Sequence, residues 1–224
     1  MSDHDPTAPP PLADELRIRR SPARARYDRE TVEAIVDAAI VAHVGTVRDG
    51  APVVVPMLAV RDGDWLLLHG AHAAGTLRRG RGTQVCVEMT LLDGLVLARS
   101  AFHHSLNYRS VVILGEAEVI TDPGERERAL ELFVERLVPG RWAELRPSTE
   151  AELKQTAVVR ISLERSSAKV RSGPPTDEEA DYEWPVWAGI VPAALALSEP
   201  QPDPRLRDGI EVPVAVRALA GTSR

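Results

Sequence analysis

The sequence contains a single cysteine among its 224 residues, and aromatic residues make up only 4% of it. One cysteine, Cys86, cannot form a disulfide within the chain, so a reducing cytoplasm is the expected compartment. Cys86 lies in a strand-like run of residues, where we expect a buried thiol that packs like a small hydrophobic side chain. A nucleophilic role for this thiol is therefore not expected.

Long apolar runs and a stripe of basic residues are also missing. No apolar stretch approaches the roughly 20 residues of a membrane-spanning helix, and the first residues lack the pattern of a signal peptide. The net charge is -6 and the arginines are scattered, a distribution that disfavours nucleic acid as the main partner. These absences predict a soluble cytoplasmic protein with neither a membrane nor a nucleic-acid partner.

Patterns typical of metal sites and hydrolases are absent as well. His69 and His72, like His103 and His104, come without the cysteine or carboxylate ligands that make a zinc site convincing. Ser105 has no accompanying base and acid that would activate it as a nucleophile. We therefore expect no metal, and the sequence identifies no catalytic residue.

Proline marks both ends of the chain. Four prolines fall within the first 11 residues, and the last part of the chain is again rich in proline. These patterns predict a flexible N-terminal arm over residues 1–20 and a Pro-rich C-terminal arm over residues 198–224. Residues 21–197 are predicted to form one domain.

Short strand patterns separated by turns dominate this domain. Asp-Gly pairs at 49–50 and 62–63 predict hairpin turns, and helices are expected after the caps Asp28, Asp122 and Thr149. Further strands are predicted over residues 83–90, 95–100, 108–120 and 157–164. A closed sheet removes the exposed edges of such strands, so we expect a mainly β fold with flanking helices (α+β), built on a small antiparallel β-barrel.

Two of the predicted strands are apolar on both faces. Residues 53–58 and 65–68 show no polar side chain at either parity, so something other than solvent must cover the outside of the barrel. We expect a homodimer interface to provide this cover, and the two long helices are the alternative.

Polar groups at the start of a predicted strand suit a phosphorylated cofactor. Tyr108, Arg109 and Ser110 open the strand predicted over residues 108–120. An arginine can bind a phosphate bidentately, and a serine hydroxyl can donate or accept a hydrogen bond beside it. Taken alone, a salt bridge at a strand end is the simpler explanation of Arg109.

Five segments form an ordered set of motifs along the chain: residues 53–57, 68–71, 107–112, 168–175 and 186–192. In this order they resemble the flavin-binding split-barrel family related to pyridoxamine 5'-phosphate oxidase, in its nitroimidazole-reductase-like branch, over roughly residues 17–192. The resemblance implies a six-stranded antiparallel split β-barrel that forms a homodimer, with FMN bound where the subunits meet.

The resemblance also implies which residues contact FMN. The ring would lie along residues 53–57, and the phosphate would be held near the turn over residues 69–79. A basic residue commonly follows the glycine of this turn in the family, whereas Thr76 and Leu77 follow Gly75 here. Arg78 or Arg79 would then supply the charge, or backbone N–H groups at the start of the predicted short helix would hold more of the phosphate. The implied cofactor-binding residues are Val54, Val55, Pro56, Met57, His69, Gly70, Gly75, Thr76, Leu77, Arg78, Tyr108, Arg109, Ser110, Lys169, Arg171 and Trp187.

The sequence is compatible with three functions. The first is an FMN-dependent oxidoreductase that acts on an unidentified small molecule, in which the flavin performs the chemistry. The second is a protein that holds a flavin or haem without turnover. The third is a reductase on the same fold that uses the deazaflavin F420, whose acidic tail the arginines at 78, 79 and 81 could receive.

Overall fold

In the computed structural model, which describes residues 14–69 and 83–222, nine antiparallel strands form one sheet that closes on itself. The strands of this described part are β1 (Ala25–Arg26), β2 (Val41–Arg48), β3 (Ala51–Asp62), β4 (Trp65–His69), β5 (Thr83–Leu97), β6 (Ser105–Val119), β7 (Val158–Ser162), β8 (Ser166–Arg171) and β9 (Gly189–Pro192). Six of them, in the order β2, β3, β4, β7, β6 and β5, close a ring. The predicted antiparallel split β-barrel is confirmed.

The split arises along β6. One part of this long strand pairs with β8 from Tyr108 to Ile113, and its last two residues, Glu118 and Val119, pair with β7. Its other edge pairs with β5 over nearly the full length of both strands. As a result β8, with the short β1 beside it, branches away from the ring.

Turn chemistry fixes the first hairpins as the sequence predicts. Asp49 and Gly50 both have positive φ, 51° and 80°, and they join β2 to β3. Two consecutive residues with positive φ match the right-handed twist of a two-residue hairpin.

Two strand predictions are wrong. Residues 83–90 and 95–100 were expected to form separate strands, but β5 runs from Thr83 to Leu97 and absorbs the break as a β-bulge between Leu92 and Gly94. A Cβ on Gly94 would lie 3.0 Å from the Val191 carbonyl oxygen, so this close approach of β9 favours glycine. The strand predicted over residues 108–120 begins three residues earlier, at Ser105.

The helices of the described residues are α1 (Arg29–Ala38), α2 (Pro123–Leu137), α3 (Glu150–Gln155) and α4 (Val214–Arg217), with 3-10 turns at Asp14–Leu16, Pro22–Arg24, Ala101–His103, Trp142–Glu144 and Glu179–Glu183. The predicted caps are confirmed: Asp28, Asp122 and Thr149 each accept a hydrogen bond from a backbone N–H of the first turn. None of these helices is long and apolar enough to cross a membrane.

Two apolar clusters stabilise the fold. Inside the barrel, Leu66 and Leu68 of β4 meet side chains from the other strands, and α1 adds Ile35 and Val36 to this cluster. Outside the barrel, α2 packs Phe133 against Leu67 of β4. The doubly apolar β4 is therefore covered by a helix, which was the alternative to a dimer interface. Val54 of β3 has no such cover and is 64% exposed.

The role of Asp122 as the N-cap of α2 can be tested by substitution. An Asp122→Ala variant should lose about 1 kcal/mol of stability, because the N–H of Glu125 would lose the carboxylate oxygen that accepts its hydrogen bond at 2.9 Å. Urea unfolding measures the loss. Asp122→Ser, which keeps a capping oxygen, should recover most of it, and equal losses in both variants would contradict the capping role.

Candidate functional site

The outer face of the sheet, which points away from the barrel core, gathers side chains from neighbouring strands. The register places Val54 of β3, Gly45 of β2, Cys86 of β5 and Leu114 of β6 in one row. The next row contains Pro56, His43, Glu88, Val112 and Ser167. We call this surface the outer face.

Cys86 is exposed on the outer face, so the prediction of a buried thiol is wrong. The alternation of β5 turns its neighbours Val85 and Val87 into the core and Cys86 outward. Partial burial and the nearby carboxylate of Glu88 raise the pKa of the Cys86 thiol, which disfavours the thiolate.

Four of the sequence-predicted site residues lie together on the outer face. Tyr108 pairs with Arg171 and Ser110 pairs with Lys169 across β6 and β8, and paired residues project their side chains on the same side. The Ser110 hydroxyl also lies 3.4 Å from the Lys169 carbonyl oxygen, to which it can donate. The two predicted segments around 108–110 and 169–171 are thus brought into contact.

Arg109 is separated from its sequence neighbours. It shares the strand parity of the core residues Val111 and Ile113, so it projects opposite to Tyr108 and Ser110. Its guanidinium donates to both carboxylate oxygens of Asp93, with distances from 2.7 to 3.2 Å. The hydrogen bonds with Asp93 raise the pKa of Arg109. The simpler explanation of Arg109, a salt bridge, therefore describes the contact that is present. Asp93 could not be predicted as its partner, because the β-bulge at this point interrupts the alternation of side chains along β5.

This ion pair lines a cleft of about 520 Å³ at the border of the outer face. The cleft is formed by residues 38–41, 43, 90–93, 109 and 193–195. His43 projects into this region and lies 3.4 Å from a carboxylate oxygen of Glu88. A volume of this size is within the range of small-molecule and cofactor sites.

Arg171 has an unusual environment, because it is only 7% exposed. Its guanidinium donates to the side-chain oxygen of Asn107 and to the carbonyl oxygens of Gly173 and Pro174. The Nε atom is buried and has no hydrogen-bond partner. Burial, together with the charge of Arg24, lowers the pKa of Arg171.

The predicted ring-contacting residues of β3 divide between two sides. Val54 and Pro56 are exposed on the outer face, whereas Met57 is buried in the core and Val55 packs against it. Only Val54 and Pro56 therefore offer side chains to a ligand on the outer face. The backbone of β3 in this region is bonded to β2.

His69 ends β4 and is half-buried. Its ring lies 5.5 Å from the ring of Phe133 on α2, and burial lowers the pKa of His69. The neutral imidazole is therefore favoured at neutral pH. The other predicted residues of the phosphate turn, Gly70, Gly75, Thr76, Leu77 and Arg78, lie outside the described residues.

The family follows from this fold and a direct comparison. The family model described as pyridoxamine 5'-phosphate oxidase matches residues 28–170, which include the barrel strands and β8. The chain belongs to this family. It therefore has a flavin-binding split-barrel fold. No curated protein matches the chain.

Two solved structures resemble the chain over almost its whole length. The flavocytochrome Anf3 from Azotobacter vinelandii is 40% identical, with a TM-score of 0.88 over 94% of this chain and 98% of that one. The FAD and haem binding protein from Mycobacterium smegmatis is 35% identical, with a TM-score of 0.83 over 88% of this chain and 98% of that one. Both likenesses extend well beyond residues 28–170.

A third solved structure shares the fold alone. The putative 5-nitroimidazole antibiotic resistance protein from Bacteroides thetaiotaomicron is 24% identical, with a TM-score of 0.54 over 65% of this chain and 86% of that one. The nitroimidazole-reductase-like branch is thus a more distant likeness than the two proteins whose names mention a flavocytochrome or haem.

The segment after β8, which the family model does not match, is attached to the barrel by a buried ion pair. The side chain of Asp177 is fully buried and accepts hydrogen bonds from the Arg99 guanidinium and the Arg99 N–H, both at 3.0 Å. Burial alone would raise the pKa of Asp177, but the bonds from Arg99 outweigh it and lower the pKa. Sequence reasoning missed both residues, because neither lies in a motif.

Trp187 follows this attached segment and is 63% exposed. Its ring lies against Gly189, where a Cβ would come within 2.8 Å of the indole. Contact between Trp187 and a cofactor stays a prediction, and the exposed ring does not serve as core packing within the chain.

Proposed function

We propose that the protein is a flavin-dependent oxidoreductase that also binds haem. The observation that carries this proposal is the 40% and 35% identity, along almost the full chain, to two proteins whose names describe a flavocytochrome and an FAD and haem binding protein. This likeness supports FAD over the FMN that the sequence comparison implied. FMN, F420 and haem alone are the alternatives.

The residues of the outer face fit a flavin nucleotide. Lys169 and Arg171 supply positive charge, and Tyr108 and Ser110 supply hydroxyl groups. The cleft has room for part of a ring system, and two residues that line it, Thr90 and Leu92, pair with Ser110 and Tyr108. Arg171 is buried without an anionic partner among the described residues, which suits an anionic ligand. When bound, a flavin accepts and delivers hydride or single electrons.

The chain's own residues would orient the ring and tune its charge. Lys169 and Arg171 would favour a negatively charged ligand on the outer face, since a cation stabilises nearby negative charge. Val54 and Pro56 would exclude water from one side of a ring that lies along β3. No side chain is required as an acid or base for this role.

A histidine with the chemistry of a haem ligand is also present. His104 is exposed, and its Nδ1 donates to the Ser100 carbonyl oxygen at 2.8 Å. This bond fixes the ring and leaves Nε2 available, an arrangement typical of metal-bound histidines. The described residues contain no group of three or more His, Cys, Asp or Glu that could hold a bare metal ion.

An absorbance spectrum of the purified protein tests the proposal. We expect flavin bands and a haem Soret band, and denaturation should release FAD, which chromatography separates from FMN and F420. Reduction of the bound flavin by a physiological donor such as NAD(P)H or a small electron carrier would support the function of an oxidoreductase. A colourless protein that takes up neither flavins nor haemin would overturn the proposal. Bound cofactor that no such donor reduces would favour the non-catalytic alternative.

We propose that the functional unit is a homodimer that forms through the outer face. Val41, Val54 and Leu92 are 47%, 64% and 45% exposed on this face, so one chain leaves several large apolar side chains open to solvent there. The C-terminal segment gives further support. Leu195 and Val214 are 56% and 86% exposed there, and a second copy would cover such side chains.

A further inference from the structure

A buried cation without an anion distinguishes Arg171 from other arginines in the described part of the chain. Arg109 pairs with Asp93, Arg99 with Asp177, Arg61 with Asp37 and Arg160 with Glu118. The guanidinium of Arg171 instead donates to one amide oxygen and two backbone carbonyl oxygens, which are neutral. Buried charges in proteins are normally paired, because burial removes their hydration.

The surroundings of Arg171 add positive charge. Arg24 is close enough to act on Arg171 electrostatically, and Lys169 lies two residues earlier on the same strand. β1 follows Arg24 directly, and its first residue, Ala25, pairs with Lys169. Two arginines and a lysine thus meet where β1, β8 and the start of β6 come together.

Within the part of the chain that the structure describes, no carboxylate neutralises this cluster, because none of the ion pairs there includes Arg24, Lys169 or Arg171. The whole sequence contains 33 acidic residues against 27 basic ones. The Nε of Arg171, on a residue that is 7% exposed, also has no hydrogen-bond partner. The Nε of Arg99 lacks a partner too, but its guanidinium is neutralised by Asp177.

We propose that Arg171, with Arg24 and Lys169, binds an anionic oxygen group of the bound cofactor. The group is a phosphate of the flavin nucleotide or a carboxylate of haem, since both offer several acceptor oxygens to a guanidinium. The residues of this site are not those of the turn over residues 69–79, to which the family resemblance assigns the phosphate. The inference rests on the proposed function and specifies the ligand chemistry of the same outer face.

Binding assays on the full-length protein freed of cofactor separate the two sources. The probes are riboflavin, FMN, FAD, haemin and the dimethyl ester of haemin. If the group is a phosphate, Arg24→Gln and Lys169→Gln should weaken FAD or FMN binding about tenfold each and leave riboflavin and haemin unchanged. If it is a haem carboxylate, haemin binding should weaken by a similar factor while its ester and the flavins are unaffected.

Arg171→Gln should weaken binding of the same probes by a larger factor. If this variant fails to fold, the variants of the more accessible Arg24 and Lys169 still decide the test. Arg146→Gln is the matched control, because it removes one positive charge at an exposed pair with Glu152. Wild-type protein that binds a flavin or haem while all variants bind every probe equally well would overturn this inference alone. Wild-type protein that binds none of the probes would overturn the proposed function, and the inference with it.

Discussion

A Phe133→Ala variant should lose about 3–5 kcal/mol of its unfolding free energy, the typical cost of removing a buried phenylalanine ring. Phe133 is 3% exposed and packs between α2 and the outside of the barrel, in a cluster that includes Leu67, Ile120 and Val158. Its removal would leave a cavity between α2 and β4, and among the described residues α2 is the helix that covers the outside of this strand. Urea unfolding followed by circular dichroism measures the loss.

The same variant should change the state of His69. The rings of Phe133 and His69 lie 5.5 Å apart, and burial lowers the pKa of His69. Opening a cavity beside the imidazole would hydrate it, and the His69 pKa should then rise towards its ordinary value. Histidine NMR signals followed against pH report this shift. Phe133 on α2 therefore holds the His69 imidazole in a buried position at the end of β4.

Two variants on α2 control for general damage to the helix. Phe133→Leu keeps most of the apolar contact and should cost less than about 1.5 kcal/mol. Glu131→Ala, at an exposed position of the same helix, should change stability by no more than about 0.5 kcal/mol. If Phe133→Ala were as stable as Glu131→Ala, or left the His69 pKa unchanged, the packing described for this cluster would be wrong.

The elements that local chemistry specifies could be predicted from the sequence. The caps Asp28, Asp122 and Thr149 lie where the helices begin, because a side-chain oxygen near free N–H groups is a local signal. The turn at Asp49 and Gly50 is specified in the same way by its positive φ angles. The six-stranded split barrel was implied instead by the family resemblance, and the order of strands in the ring was not predicted.

The site was harder to predict, because it depends on parity and on distant partners. Tyr108, Arg109 and Ser110 are adjacent in sequence, yet strand alternation sends Arg109 to the opposite side from the other two. The register partner of Arg109 is Leu91, and the bulge between Leu92 and Gly94 is what lets the carboxylate of Asp93 reach the Arg109 guanidinium. No sequence pattern predicts that contact. The exposure of Cys86 depends likewise on which face of β5 the barrel buries.

A Val54→Glu variant should convert the proposed homodimer into a monomer. Val54 stands on the outer face in the row that contains Gly45, Cys86 and Leu114, and a charge at the centre of an interface would have to be buried without a partner. Light scattering after gel filtration should show twice the chain mass of 24.4 kDa for the wild type and the chain mass for the variant. Since Val54 is 64% exposed in one chain, the fold itself should remain intact.

The single cysteine makes the same experiment specific to this face. Cys86 is exposed in one chain and lies in the same row of the outer face as Val54, with Gly45 between them. A dimer that forms through the outer face would therefore shield the thiol from thiol reagents. Labelling should be slow in the wild type and fast in Val54→Glu. Leu145→Glu is the control, because Leu145 is 40% exposed beyond the end of α2 and lies outside the outer face. A wild-type monomer, or a Val54→Glu dimer with Cys86 still protected, would show that the apolar outer face serves something other than a second copy of the chain.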